Sequence, residues 1–103
     1  MSQKICVQSE VRDMLILKDT LNQLGHNFNE ISAEVVEIKR SWNPISFNTS
    51  TGAVSYDNAH LNEVNQIKQT YMVNFYKNQA IQEGMNVTES VNASGEIELH
   101  ITH

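Results

Sequence analysis

From residue 59 to about residue 83 the chain places Leu61, Val64, Ile67, Tyr71 and Phe75 at steps of three and four, the spacing that lines one side of an α-helix. Gln79 continues the row, Met72 and Ala80 widen it, and Gly84 stops it. A long helix with one apolar stripe needs an apolar surface to lie against, and this requirement constrains the fold more than any other feature of the sequence. Tyr71, Phe75 and Tyr76 together are too wide a set for a single buried stripe, so Tyr76 is expected to stay exposed.

A second, shorter helix has the same need. Met14, Leu17, Leu21 and Leu24 recur at helical spacing, with Lys18, Asp19, Asn22 and Gln23 on the outward side. Asp13 stands where a side-chain oxygen can accept from the free amides of the first turn, and Gly25 supplies the residue able to end the helix left-handed.

The covering surface comes from segments of period two. From Lys4 to Val11, Ile5, Val7, Ser9 and Val11 alternate with Cys6, Gln8 and Glu10, as in a half-buried strand. Val35 to Lys39 reads the same way, Pro44 interrupts the pattern, and Ile45 and Phe47 pair with Val54 and Tyr56 across the turn-rich "NTSTG". His26 to Glu34 carries no period and is expected to be an irregular connection. The final segment holds Val87/Glu89/Val91 and Ile97/Leu99/Ile101 on either side of Asn92-Ala93-Ser94-Gly95, the signature of a hairpin with a glycine turn.

The predicted order is therefore β-α-β-β-β-α-β-β. The expected architecture is an α+β two-layer sandwich over residues 1–103 as a single domain: a mainly antiparallel sheet of about five or six strands with both helices on one face. Its opposite face would carry Cys6, Gln8, Glu10, Glu37, Glu96, Glu98 and His100, a set suited to solvent or to a partner.

Composition narrows the function. With 40% apolar and 18% charged residues the chain is that of a globular domain, and its longest apolar run, Met14 to Leu17, is far below the roughly 20 residues of a bilayer span. No membrane association is expected. No secretory leader is apparent, so a cytoplasmic location is expected, and the Asn-x-Ser/Thr triplets at Asn48, Asn86 and Asn92 read as chance matches in an asparagine-rich chain. The lone Cys6 can form no intrachain disulfide. Seven basic against twelve acidic residues, with only Lys39-Arg40 as an adjacent basic pair, disfavour nucleic acid as a partner.

The stretch "TGAVSYDNAH" poses the sharpest choice. Tyr56, Asp57, Asn58 and His60 offer a phenol, an acid, an amide and an imidazole in five positions. They could hold a ligand, with Tyr71 closing a pocket between sheet and long helix. The alternative is that one of Asp57, Asn58 or His60 satisfies the free amides where the long helix begins. The capping reading is preferred. His60 as cap would place Glu63 for a capping box. His100 and His103 are three apart on a strand and point to opposite faces, and no metal or other cofactor is expected. Cys6, between Ile5 and Val7, reads as inert filler rather than a nucleophile. Glu96 and Glu98 read as a solvated pair, and no phosphate loop or serine elbow occurs. Trp42, in a polar connection beside Pro44, packs at a core edge or anchors a partner.

The pattern T-G-x-[IV]-x-Y-D-N, then Q-x-Y-x-V, an alanine four before a glycine, V-x-E and D-G-S-I-x-L falls here on Thr51, Gly52, Val54, Tyr56, Asp57, Asn58, Gln69, Tyr71, Val73, Ala80, Gly84, Val87, Glu89, Gly95, Ile97 and Leu99. Together with the opening "KICVQSEVRD" and Leu24-Gly25, it resembles the Ycf thirty-five-like family of cyanobacteria and red-algal plastids, also called domain of unknown function twelve fifty-seven. The likeness spans nearly the whole chain. This chain passes almost directly from Asn58 to Leu61, where members of that family carry extra glycine, aromatic and basic residues. The resemblance supports the fold and implies no reaction, because the family has no established activity.

The function expected from all this is a non-catalytic accessory or binding module, using its polar sheet face, the Trp42 loop or an edge strand to hold a protein partner or a second copy. The alternative is a small-ligand or metal-binding regulatory domain built on Asp57, Asn58, His60 and Tyr71.

Overall fold

The computed structural model describes residues 4–39 and 43–102. Its elements are β1 (Lys4–Gln8), α1 (Met14–Gln23), β2 (Phe28–Glu30), β3 (Val35–Ile38), β4 (Ile45–Asn48), β5 (Ala53–Asp57), a 3-10 turn (Asn58–His60), α2 (Leu61–Gln82), β6 (Asn86–Val91) and β7 (Ile97–Thr102). The chain divides into two compact units between Tyr71 and Met72, a point inside α2. Among the described residues no helix is long and apolar enough to cross a membrane.

The first unit holds an antiparallel sheet of five strands in the order β1-β5-β4-β3-β2. The expected meander of β3, β4 and β5 is present, and β1 closes it on the far side of β5. Cross-strand partners put Ile5, Val7, Val36, Ile38, Ile45, Phe47, Val54 and Tyr56 on one face. That face is the core, where Val36, Ile38, Ile45 and Val54 lose all solvent contact. Leu17 and Leu21 of α1 and Val64, Ile67 and Tyr71 of α2 are equally inaccessible. Each such side chain contributes about 1.5–3 kcal/mol by leaving water. The reverse face, with Lys4, Cys6 and Gln8 exposed and Glu37, Ser46 and Ser55 half-buried, cannot offer helices comparable apolar area. The helices therefore share the apolar side, as their stripes require.

The caps follow the sequence closely. Asp13 accepts the amide of Ile16 at 3.1 Å, and Gly25, with φ +78°, ends α1. Gly84 ends α2 at φ +76°, where the amide of Met85 donates to the carbonyl of Ala80 at 2.9 Å. Thr20 extends the buried side of α1 because its hydroxyl donates to the carbonyl of Ile16 at 2.7 Å, so burial leaves no polar group wanting.

Several expectations change. The segment His26 to Glu34 is not wholly irregular, since Phe28–Glu30 forms β2 on the edge of the sheet. Val11 is buried, but β1 ends at Gln8. Leu61, assigned to the buried stripe, remains 40% exposed. The last two strands do not join the main sheet: β6 and β7 make a separate antiparallel pair within the second unit. Glu98 and His100 therefore belong to the hairpin and not to the polar face that carries Cys6 and Glu37. Tyr76 is exposed, as expected.

Candidate functional site

Asp57 closes β5 and caps the 3-10 turn that leads into α2. Its Oδ1 accepts the amide of Ala59 at 2.8 Å, and its Oδ2 accepts from the Nδ2 of Asn43 at 3.0 Å. Asp57 is only 4% exposed, and both carboxylate oxygens are occupied by donors of the protein itself. Asn43 has φ +51°, a left-handed conformation that asparagine tolerates better than most residues. Of the three candidate caps it is Asp57 that performs this role. Its neighbour Asn58 is exposed and His60 half-buried.

Tyr56 points into the core, with 5% of its surface exposed. Tyr71 is buried too, and its hydroxyl accepts the amides of Arg12 and Asp13 at 3.2 and 3.1 Å. Those amides follow the far end of β1. In the β1–β5 pairing Asp57 faces Lys4 and Ala53 faces Gln8, so the two ends of the pair stand about 13 Å apart. The structure thus brings Tyr56, Asp57, Asn58 and His60 together at one end of β5. It places the Tyr71 hydroxyl at the other.

Above the Asp57 end, on the polar side of the sheet, lies a concavity of about 200 Å³ bordered by Lys4, Glu37, Asn43, Pro44, Ser46 and Ser55, and touched by Tyr56. Ligand pockets usually enclose about 300–1,000 Å³ and are mostly apolar. This one is small and polar.

Cys6 is exposed on the same polar face, opposite Ser55, the side of the strand expected of it. His100 lies 3.8 Å from Glu98 on β7, with both side chains at least half exposed. Among the described residues no three of His, Cys, Asp and Glu are placed to share a metal ion. Trp42 and His103 lie outside the described residues.

Sequence reasoning missed the Asn43–Asp57 bond. It also missed the junction at Gly52, whose carbonyl accepts from the amide of Ser9 at 2.8 Å and its hydroxyl at 2.7 Å. The Nε2 of Gln8 donates to the adjacent carbonyl of Thr51.

The β6–β7 hairpin presents a different kind of surface. Val87, Val91, Ile97, Leu99 and Ile101 share one face with Glu89. Val91 is 67% and Ile101 44% exposed. The Nζ of Lys77 donates to Glu89 at 3.0 Å, tying that face to the second half of α2 within the same unit. No family model matches the chain, and neither a curated protein nor a solved structure shows significant similarity to it.

Proposed function

We propose that the protein is a non-catalytic binding module, acting in the cytoplasm through contacts with other protein chains, copies of itself included. The observation that carries this reading is the aliphatic side of the β6–β7 hairpin, where Val91 and Ile101 remain exposed. A two-stranded sheet is marginal by itself and gains stability when its apolar side is covered. Exposed aliphatic area forgoes about 25 cal/mol per Å², which a partner can recover. The net charge of −5 argues against nucleic acid as that partner.

Kinship with the Ycf thirty-five-like family belongs to the same reading. It is supported by the posts its pattern occupies: Gly52, Gly84 and Gly95 all adopt positive φ, and Asp57 caps a helical turn.

A photo-crosslinking residue at position 91 tests the proposal, first in purified protein and then in extract of the source cells. Expected is a discrete crosslinked species that disappears when Ile101→Asp is added. The absence of any crosslinked species in both settings overturns the reading.

A further inference from the structure

We infer that the partner on the hairpin is a second copy of this chain, joined by antiparallel pairing of β7 with its own copy to make a continuous sheet of four strands. The inference rests on the binding-module reading and names a self-partner at the edge of the hairpin, which widens the aliphatic face without covering it.

Among the described residues both strands of the hairpin are edges. The direction of their backbone groups follows from the turn, where the amide of Asn92 donates to the carbonyl of Glu96 at 2.9 Å. Hydrogen-bonded and non-bonded pairs alternate along an antiparallel ladder. With the observed register, Ser90–Glu98 and Thr88–His100 are bonded pairs, and Val91–Ile97, Glu89–Leu99 and Val87–Ile101 are not. The N–H and C=O groups of Ile97, Leu99 and Ile101 therefore face away from β6.

The sequence along that edge is Ile97-Glu98-Leu99-His100-Ile101, a pattern that matches itself when reversed about Leu99. In a two-fold pairing centred there, Leu99 meets Leu99, Ile97 meets Ile101, and Glu98 meets His100 twice. The apolar face stays apolar. On the other face each carboxylate meets an imidazole that can donate a hydrogen bond to it. The outward groups of Ile97, Leu99 and Ile101 supply about six backbone bonds across the axis.

Neighbouring registers are worse. Centring on Glu98 opposes two glutamates, and centring on His100 leaves Glu98 opposite Thr102. Strand β6 matches itself less well, because its centred register sets Glu89 against Glu89, even with each bonded to Lys77, and shifting by one position either way sets Glu89 against Val87 or Val91. Like charges directly opposite destabilise a pair. The preference for β7 over β6, and for one register, thus comes from charge and pattern together.

Sedimentation equilibrium of the full chain under reducing conditions tests the pairing, with His100→Glu and the double variant Glu98→Arg/His100→Glu. All these side chains are exposed, so the fold of the hairpin tolerates them. Edge pairing buries little area, so half-dimerisation is expected near about 100 μM. His100→Glu, which opposes Glu98 with a glutamate on both sides of the axis, weakens the dimer about tenfold. The double variant restores opposite charges and brings the affinity back. A wild-type chain that is monomeric to about 1 mM overturns the inference, and the crosslink at position 91 then decides separately whether another protein binds. A dimer indifferent to both variants overturns the β7 edge while leaving the binding module standing.

Discussion

The Tyr71 hydroxyl accepts the backbone amide of Asp13 at 3.1 Å, across 58 residues of sequence. It also accepts the amide of Arg12. These amides lie just before α1, in the stretch where the chain has left β1 and has no ladder to bond to. A ring carried on α2 thereby fixes the corner from which α1 starts. Asp13 can then present its carboxylate to Ile16 at the correct angle.

Tyr71→Phe keeps the buried ring and removes the acceptor. Two part-buried amides then lose a partner, and the expected cost is about 1.5–3 kcal/mol. A lowered urea midpoint with unchanged slope is the signature. A loss below about 0.5 kcal/mol would mean that water replaces the hydroxyl and that the brace is dispensable.

Asp57 and Asn43 form the second long-range tie. Asp57→Ala removes a cap and is expected to cost about 2 kcal/mol. Asn43→Gly removes the amide donor without straining a positive φ, and is expected to cost about 1 kcal/mol. The double variant should be less destabilised than the sum, by about 1 kcal/mol, because the two side chains bond each other. Strict additivity in the cycle rules out an energetic role for that bond.

Helices α1 and α2, their glycine stops and the meander β3-β4-β5 were legible because each carries its own period and punctuation. Leu17, Leu21, Val64 and Ile67 show their burial in their spacing alone. Strand β2 was not legible, since Phe28 is its only apolar residue and its conformation is borrowed from β3. The detachment of β6 and β7 could not be read either: alternation shows that a strand has two different faces and is silent about which sheet it joins. In the candidate site, the capping role of Asp57 was visible as an acid at a strand-to-helix junction. Its second partner, 14 residues away across a proline, was not. Tyr71 looked like one more core aromatic, and only the fold shows where its hydroxyl goes.

Gly52 and Gly84 make a controlled comparison, both with positive φ, at +83° and +76°. A Cβ on Gly84 meets nothing within 4 Å, whereas one on Gly52 runs into the backbone carbonyl of Ser9, a residue whose own amide is bonded to Gly52. Gly84→Ala is expected to cost about 1 kcal/mol from φ alone, and Gly52→Ala about 3 kcal/mol or more. Thermal unfolding of both variants measures the gap. Equal losses would show that the β1–β5 junction yields easily.

The proposed pairing of β7 makes a residue-level demand on hydrogen exchange. Inside one hairpin the amides of Glu98 and His100 point toward β6, and those of Ile97, Leu99 and Ile101 point outward. At low concentration the outward three should exchange at nearly the rate of an unfolded chain, while Glu98 and His100 are modestly protected. At concentrations where the dimer dominates, Ile97, Leu99 and Ile101 should slow together. Val87, Glu89 and Val91, the outward set of β6, should stay fast at both concentrations, because that edge opposes its own glutamate. Concentration-dependent slowing on β6 instead of β7 would assign the contact to the wrong edge and remove the charge argument on which the pairing depends.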